Sequence, residues 1–208
     1  MTNNSIVIGG IVVKPPKIIA DALEFEKRVF EMRIRRTRIS GSKTDEFPVI
    51  FRGSAIAELG ENIKEGAVIR VIGELRTTTI LWEKHIHIYA ESIEQAADTQ
   101  ENNIIITGII AANPQTYKTK SGTTITRLIL KVYSGGYRHF IHCAAWKTNA
   151  EYAAKLSKGE RICVKGYAQS KEHPVKICER DVPVLKTLYE VAVKVIELPD
   201  DQKGDINT

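Results

Sequence analysis

Asn4-Ser-Ile-Val-Ile-Gly-Gly-Ile-Val-Val-Lys-Pro-Pro16 and Asn102-Asn-Ile-Ile-Ile-Thr-Gly-Ile-Ile-Ala-Ala-Asn-Pro114 read as two copies of one segment, 98 residues apart. Each is an apolar strand, a Gly (Gly10, Gly108), further β-formers and a Pro (Pro16, Pro114). The same offset carries Phe30, Met32 and Ile34 onto Leu128, Leu130 and Val132, at the period of two that marks a half-buried strand. Further along, Ile63-Lys-Glu-Gly66 matches Leu156-Ser-Lys-Gly159 and Gly73 matches Gly166, both at an offset of 93. Ile86, Ile88, Ala90 and Ile93 then match Tyr189, Val191, Val193 and Ile196. Several landmarks in one order indicate a duplicated unit.

Each copy has the same element order. Strands are expected at 5–13, 25–40, 46–52, 67–76 and 85–94 in the first copy, and at 103–111, 123–133, 139–146, 160–169 and 188–197 in the second. Gly/Ser-rich turns (Ser40–Asp45; Ser134–Tyr137) separate strands two and three. A short helix is expected after strand three. In the second copy it is Asn149–Ser157, with Tyr152 and Leu156 on one face, and Gly66 and Gly159 cap the helix ends. Five strands with a helix between the third and fourth is the order of the five-stranded Greek-key barrel, the OB-fold. The expected class is all-β, two tandem OB-folds each with one short helix. The first domain spans 1–96, a small polar linker 97–102, the second domain 103–198 and a short C-terminal tail 199–208.

The balance of charge separates the halves. Residues 1–100 hold 14 Lys and Arg against 14 Asp and Glu, whereas residues 101–198 hold 15 against 8, a bias suited to a polyanion. No apolar run approaches the roughly 20 residues of a membrane span, so no membrane partner is expected. The N-terminus lacks the basic head and apolar stretch of a secretory signal. Cys143, Cys163 and Cys178 form no C-x-x-C pair, which suits reduced thiols in a cytoplasm. No nucleotide-binding, hydrolase-elbow or zinc-protease motif is present, and Ser42, Ser121 and Ser134 lie in turns without a readable His and acid. His85 and His87 share a strand face but lack a third ligand. Neither catalysis, a cofactor nor a metal is expected.

The second copy resembles the bacterial single-stranded DNA-binding protein family. The resemblance rests on Asn103–Gly108, Pro114, Lys120-Ser-Gly-Thr-Thr124, Phe140-Ile-His-Cys-Ala-Ala-Trp146, Ala150–Leu156, Lys158-Gly159 and Val164-Lys-Gly166, over about 70 residues. The first copy is more distant, its best matches being Ile6–Gly10 and Val71–Thr77. Such proteins stack unpaired bases on aromatic rings, which is indifferent to sequence, and neutralise phosphates with Lys and Arg. The resemblance places Phe140 and Trp146 as stacking rings. Six residues apart on a strand, they share a face with His142 and Ala144, opposite Ile141, Cys143 and Ala145. Tyr133 and Tyr137 flank the turn that could fold over DNA, and Lys118, Lys120, Lys131 and Arg138 are the nearby cations. In the first copy Arg33 and Arg35 share a face that could track phosphates. Arg36 and Arg38 share the other, where Glu24, Glu26, Glu31 or a second subunit could meet them. Phe47 and Phe51 lie on strand three in a register the sequence leaves open. Trp82 follows Arg76-Thr-Thr-Thr79 in the loop between strands four and five, one the fold uses for oligonucleotides, and is a further stacking candidate beside Arg76.

The resemblance implies single-stranded DNA as partner, in replication, recombination or repair, and a homodimer that brings four OB-folds together. The short ending Leu198–Thr208 lacks the family's long acidic-tipped tail, which argues against tail-mediated recruitment of replication partners. An insertion at 170–187 has no assigned role. Three alternatives stay open: the tandem folds as an assembly scaffold with weak nucleic-acid contact, a sequence-tolerant RNA binder, and a first domain kept for pairing and not for binding.

Overall fold

β-Branched and aromatic residues alternate with polar ones along most of the chain, so the backbone pairs into sheets that bury one face of most strands. The computed structural model describes residues 4–41, 43–56, 59, 63–80, 83–175 and 184–199. In the first copy the strands are β1 (Asn4–Ala20), β2 (Val29–Thr37), β3 (Thr44–Arg52), β4 (Val68–Ile80) and β5 (Glu83–Gln95). The second contributes β6 (Asn102–Ile110), β7 (Gln115–Lys118), β8 (Thr124–Ser134), β9 (Tyr137–Trp146), helix α1 (Thr148–Ala153), β10 (Arg161–Val175) and β11 (Val184–Glu197). Pairing closes two rings, β1-β2-β3-β5-β4 and β6-β8-β9-β11-β10, each back on its first strand. These are the two expected OB-fold barrels, with Ile6, Ile8, Met32, Ile34, Val49 and Phe51 buried in one, and Ile104, Ile106, Leu128, Leu130, Ile141 and Val164 in the other. Among the described residues no helix is long and apolar enough to cross a membrane.

The barrels are joined by an antiparallel pairing of their first strands, Asn4 opposite Ile106, Ile6 opposite Ile104 and Ile8 opposite Asn102. Ile6 and Ile104 are equivalent positions of the repeat, so a pseudo-two-fold axis passes through that pair. Its operation recurs in the hydrogen bonds. The Asn4 side chain donates to Leu75 O and accepts from Leu75 N–H, and Asn102 does the same with Ala168. Gly66 N–H donates to Val12 O at 2.8 Å, as Gly159 N–H does to Ile110 O at 2.9 Å. The Thr77 N–H donates to Nδ1 of His139 at 3.0 Å; on the other side the Ser170 N–H donates to Oδ1 of Asp45 at 2.9 Å.

The structure departs from the sequence reading at five places. Val12 lies opposite Ile34 as Ile110 lies opposite Leu130, so Ile34 is the counterpart of Leu130 and not of Val132. A slip of two residues leaves every side chain on its own face, which is why period two conceals it. Residues 25–27 form a single 3-10 turn before β2 begins at Val29, and another 3-10 turn at Gly53–Ile56 stands where the first copy's helix was expected. α1 ends at Ala153. The Lys155 and Leu156 amides bond three residues back, to Tyr152 O and Ala153 O, leaving Tyr152 exposed while Leu156 packs on the core. The expected ends of the fourth and fifth strands of the second copy, 169 and 188, are exceeded, since the insertion's residues to Val175 and from Val184 extend β10 and β11 into a paired arm.

Gly73 and Gly166 occupy matching bulges, where the register shifts against β5 and β11. A Cβ at Gly73 would fall 2.1 Å from Tyr89 O, and one at Gly166 would fall 2.2 Å from Ala192 O. Backbone must therefore move to admit any side chain. Gly166→Ala is expected to cost at least about 1–3 kcal/mol of stability, as is Gly73→Ala, measured as a lower urea midpoint. A midpoint equal to wild type would show that the bulge can relax.

Candidate nucleic-acid interface

The site is built on the outward face of β7, β8 and β9. Directly opposed residues share a face, so the pairings order it in rungs: Tyr117–Ile125–Trp146, Gln115–Arg127–Ala144, Ile129–His142, Lys131–Phe140 and Tyr133–Arg138. Leu128, Leu130, Ile141, Cys143 and Ala145 point inward and are buried. Of the outward residues Trp146 is 37% exposed and Tyr133 55%, whereas Tyr137, 72% exposed, pairs with Ser134 on the opposite phase of the strand and does not join their face. Phe140 is half-buried and His142 exposed. Ala144 also faces outward, yet it is buried, being small and flanked by Arg127 on β8 and Ala192 on β11. Phe140 and Trp146, six residues apart, stand roughly 20 Å from each other along the strand.

Cations interleave with these rings. Lys131 Nζ lies 5.9 Å from the Tyr133 ring centre, and the Arg127 guanidinium lies 5.1 Å from that of Tyr117. Arg138, Lys118 and Lys120 are exposed near the two ends of the ladder. The sequence reading missed Arg127 and Tyr117. Arg127 was findable, since it shares the period-two phase of Lys131 and Tyr133. Tyr117 lay in a segment with no apolar alternation to mark it as a strand. Arg127 Nε is buried without a hydrogen-bond partner among the described residues. A groove of about 360 Å³ runs beside the ladder, lined by Arg127, Phe140 and His142 on one side and by Lys171, Lys186 and Leu188 of the β10–β11 arm on the other.

The Tyr133–Tyr137 turn is a two-residue hairpin whose Gly135 and Gly136 both take positive φ (56° and 82°), the geometry that follows strand twist. The first barrel holds it in place: the Ser134 hydroxyl donates to Glu74, and the Arg76 side chain packs at Gly135. Arg76 is thus occupied, paired with Glu74 and stacked 3.6 Å over the Tyr89 ring.

The equivalent face of the first barrel has different chemistry. Val49 pairs beside Ile88 as Cys143 pairs beside Val191, which puts Glu46 where the second barrel has Phe140 and Arg52 where it has Trp146. Phe47 and Phe51 point inward and are buried. Arg35 is bound to Glu46 at 2.6 Å, while Arg33 is half-buried and without an ion-pair partner among the described residues. Arg36 does not meet Glu24, Glu26 or Glu31. It is buried, and its guanidinium donates to the carbonyls of Thr99 and Gln100 in the linker; burial lowers its pKa. Arg38 binds Asp45 through both its Nε and Nη2 and donates to Ser170 O. Burial would raise the Asp45 carboxyl, but Arg38 and the Ser170 N–H and hydroxyl hold it below the ordinary carboxylate value. Trp82 and Cys178 lie outside the described residues.

A dry contact between the barrels lies behind these faces. Its small cavity, about 10 Å³, is lined by the equivalent pairs Phe47 and Ile141, Leu75 and Ala168, Ile86 and Tyr189, and His87 and Glu190. Burial, with Arg76 and His139 close by, pushes His87 down from 6.5 to about 4. The unfolded chain accepts a proton that the folded chain resists. Stability from this group is complete above pH 6.5 and is lost as the pH falls toward 4, by about 3 kcal/mol in all. Urea unfolding at pH 7 and pH 4.5 should show that loss in wild type and a smaller one in His87→Gln; equal losses would place the titration elsewhere.

Residues 101–195 match the Single-strand binding protein family. No curated protein matches the chain. Among solved structures, the wild-type single-stranded DNA binding protein of Thermus aquaticus is similar at 21% identity and a TM-score of 0.74, with 94% of this chain and 92% of that one covered. A deletion mutant of the same protein aligns at 20% identity and a TM-score of 0.75, over 94% of each chain. At that identity the likeness establishes the tandem fold.

Proposed function

We propose that this chain, whose second half is a domain of the single-strand binding protein family, binds single-stranded DNA without regard to sequence and without catalysis. The observation that carries this reading is the outward ladder of the second barrel, where Phe140, Trp146, Tyr133 and Tyr117 alternate with Arg127, Lys131 and Arg138. Rings offer stacking to any base, and the cations between them neutralise the phosphates that link those bases. The cellular setting is replication, recombination or repair on cytoplasmic, nucleoid-associated DNA. The division into a first domain over 1–96 and a second over 103–198 belongs to the same reading.

Assembly is its second part: two chains pair to bring four barrels together. The β1–β6 seam supports this, since Ile105 and Val195 on its solvent side are 46% and 40% exposed, beside Val7 and Ile72. The competing reading, an OB-fold scaffold with weak nucleic-acid contact, draws on the first barrel, which has Glu46 and Arg52 at the stacking positions. The mass in solution with and without oligo-dT tests assembly; a monomer in both conditions overturns the four-barrel unit.

In a Trp82→Phe background Trp146 is the single indole, and its emission should quench on adding oligo-dT. Phe140→Ala and Trp146→Ala should each weaken binding by about 1–3 kcal/mol, roughly 5- to 150-fold, when read by anisotropy of a labelled strand. Unquenched Trp146 at low salt, with wild-type affinity in both variants, would leave the scaffold reading standing. Competition between oligo-dT and oligo-U of the same length separates DNA from RNA preference, because stacking alone does not.

A further inference from the structure

The β10–β11 arm is a wall shared by two grooves. Lys171, Thr187 and Tyr189 line the groove beside the aromatic ladder of the second barrel, and the same three residues line a larger one, about 760 Å³, over β2 and β3 of the first. The second groove has more cations than carboxylates along its lining. Arg33, Arg35, Arg38, Lys43 and Lys171 face it against the carboxylates of Glu46 and Glu172. Its chemistry is otherwise unlike its neighbour's. The single aromatic ring among its described lining residues is Tyr189, which is engaged with Phe47 at 5.8 Å between ring centres.

We propose that the β10–β11 arm joins two unlike grooves into one strand path, on which bases stack over the second barrel and only phosphates are held over the first. The proposal rests on the stacking reading of the second barrel and adds the role of the first. Several features bear on it. The position equivalent to Phe140 is Glu46, so a base entering the first groove meets a carboxylate where the second groove offers a ring. Arg35 and Arg38 are engaged by Glu46 and Asp45, which offset their charge, so phosphate contacts in this groove fall to its unpaired cations. Arg33 and Lys43 have no ion-pair partner among the described residues, leaving two full charges for counterion release. Lys171, paired with Glu190 at 3.2 Å, stands on the wall between the grooves, where a strand leaving Phe140 would cross to Arg33.

The test compares short and long DNA on the full chain, with the double variant Arg33→Ser, Lys43→Ser, whose side chains make no ion pair among the described residues. Oligo-dT of about 10 nucleotides fits one barrel, and oligo-dT of about 30 nucleotides spans both. The short strand should bind wild type and variant alike. The long strand should bind the variant about tenfold more weakly at low salt, with a salt slope lower by about 1.4, at 0.7 for each lost phosphate contact on a single strand. An unchanged long-strand affinity and slope overturns the proposal, as does an equal loss for both lengths. Displacement of the long strand by polyglutamate at matched charge concentration would assign the groove to an acidic protein segment and also overturns it. Failure of wild type to bind the short strand would instead strike the stacking reading, and this inference would fall with it.

Discussion

Everything in this molecule is referred to one seam, the antiparallel pairing of β1 with β6 centred on Ile6 and Ile104. A closed barrel has no free edge along most of its length, so two barrels can share a sheet only where a first strand still offers unpaired backbone. β1 divides its length among three partners: its N-terminal half takes β4 and β6, and its C-terminal half takes β2. Once the pairing is set at equivalent isoleucines, the two-fold relation of everything else follows. The Asn4 and Asn102 clamps, the Gly73 and Gly166 bulges and the small dry cavity between the barrels all repeat across that axis.

Symmetry of backbone is combined with asymmetry of chemistry. The seam and most of the cavity lining pair equivalent residues, yet the outward faces have diverged in charge and aromaticity. The rung Lys131–Phe140 in one barrel is Arg35–Glu46 in the other. The contacts across the axis have diverged too: one amide meets an imidazole nitrogen, Nδ1 of His139, while its counterpart meets the carboxylate of Asp45. Only that second contact is braced by an arginine, Arg38. Fold and interaction surface are thus separable, because the first needs only apolar alternation and a few glycines, and the second depends on which residues occupy the opposite phase.

Much of the fold was legible in the sequence because period-two patterning and glycine landmarks are local. The two barrels, their strand order and the inward set Ile141, Cys143 and Ala145 all follow from that. What stayed hidden depends on non-local pairing. The two-residue slip in β2 changes no face, so nothing in the apolar pattern reports it. Whether Phe47 and Phe51 point in or out turns on a single-residue register, and β5 fixes it, not β3 itself. Arg36 reads as a surface cation until the linker carbonyls of Thr99 and Gln100 fold over it. Arg127 was in plain view by phase, but its buried, partnerless Nε exists only once β7 and β9 flank it.

The linker has a kinetic consequence of its own. Held by Arg36, and by Arg70 through Glu101 at 2.6 Å, the segment between β5 and β6 is a short pinned tether. It turns the meeting of two barrels into an intramolecular event at an effective concentration in the millimolar range. A seam of a few strand residues would dissociate on dilution if its halves were separate chains. Tethered, it persists at any protein concentration, so the two barrels act as one body however scarce the protein is in its surroundings.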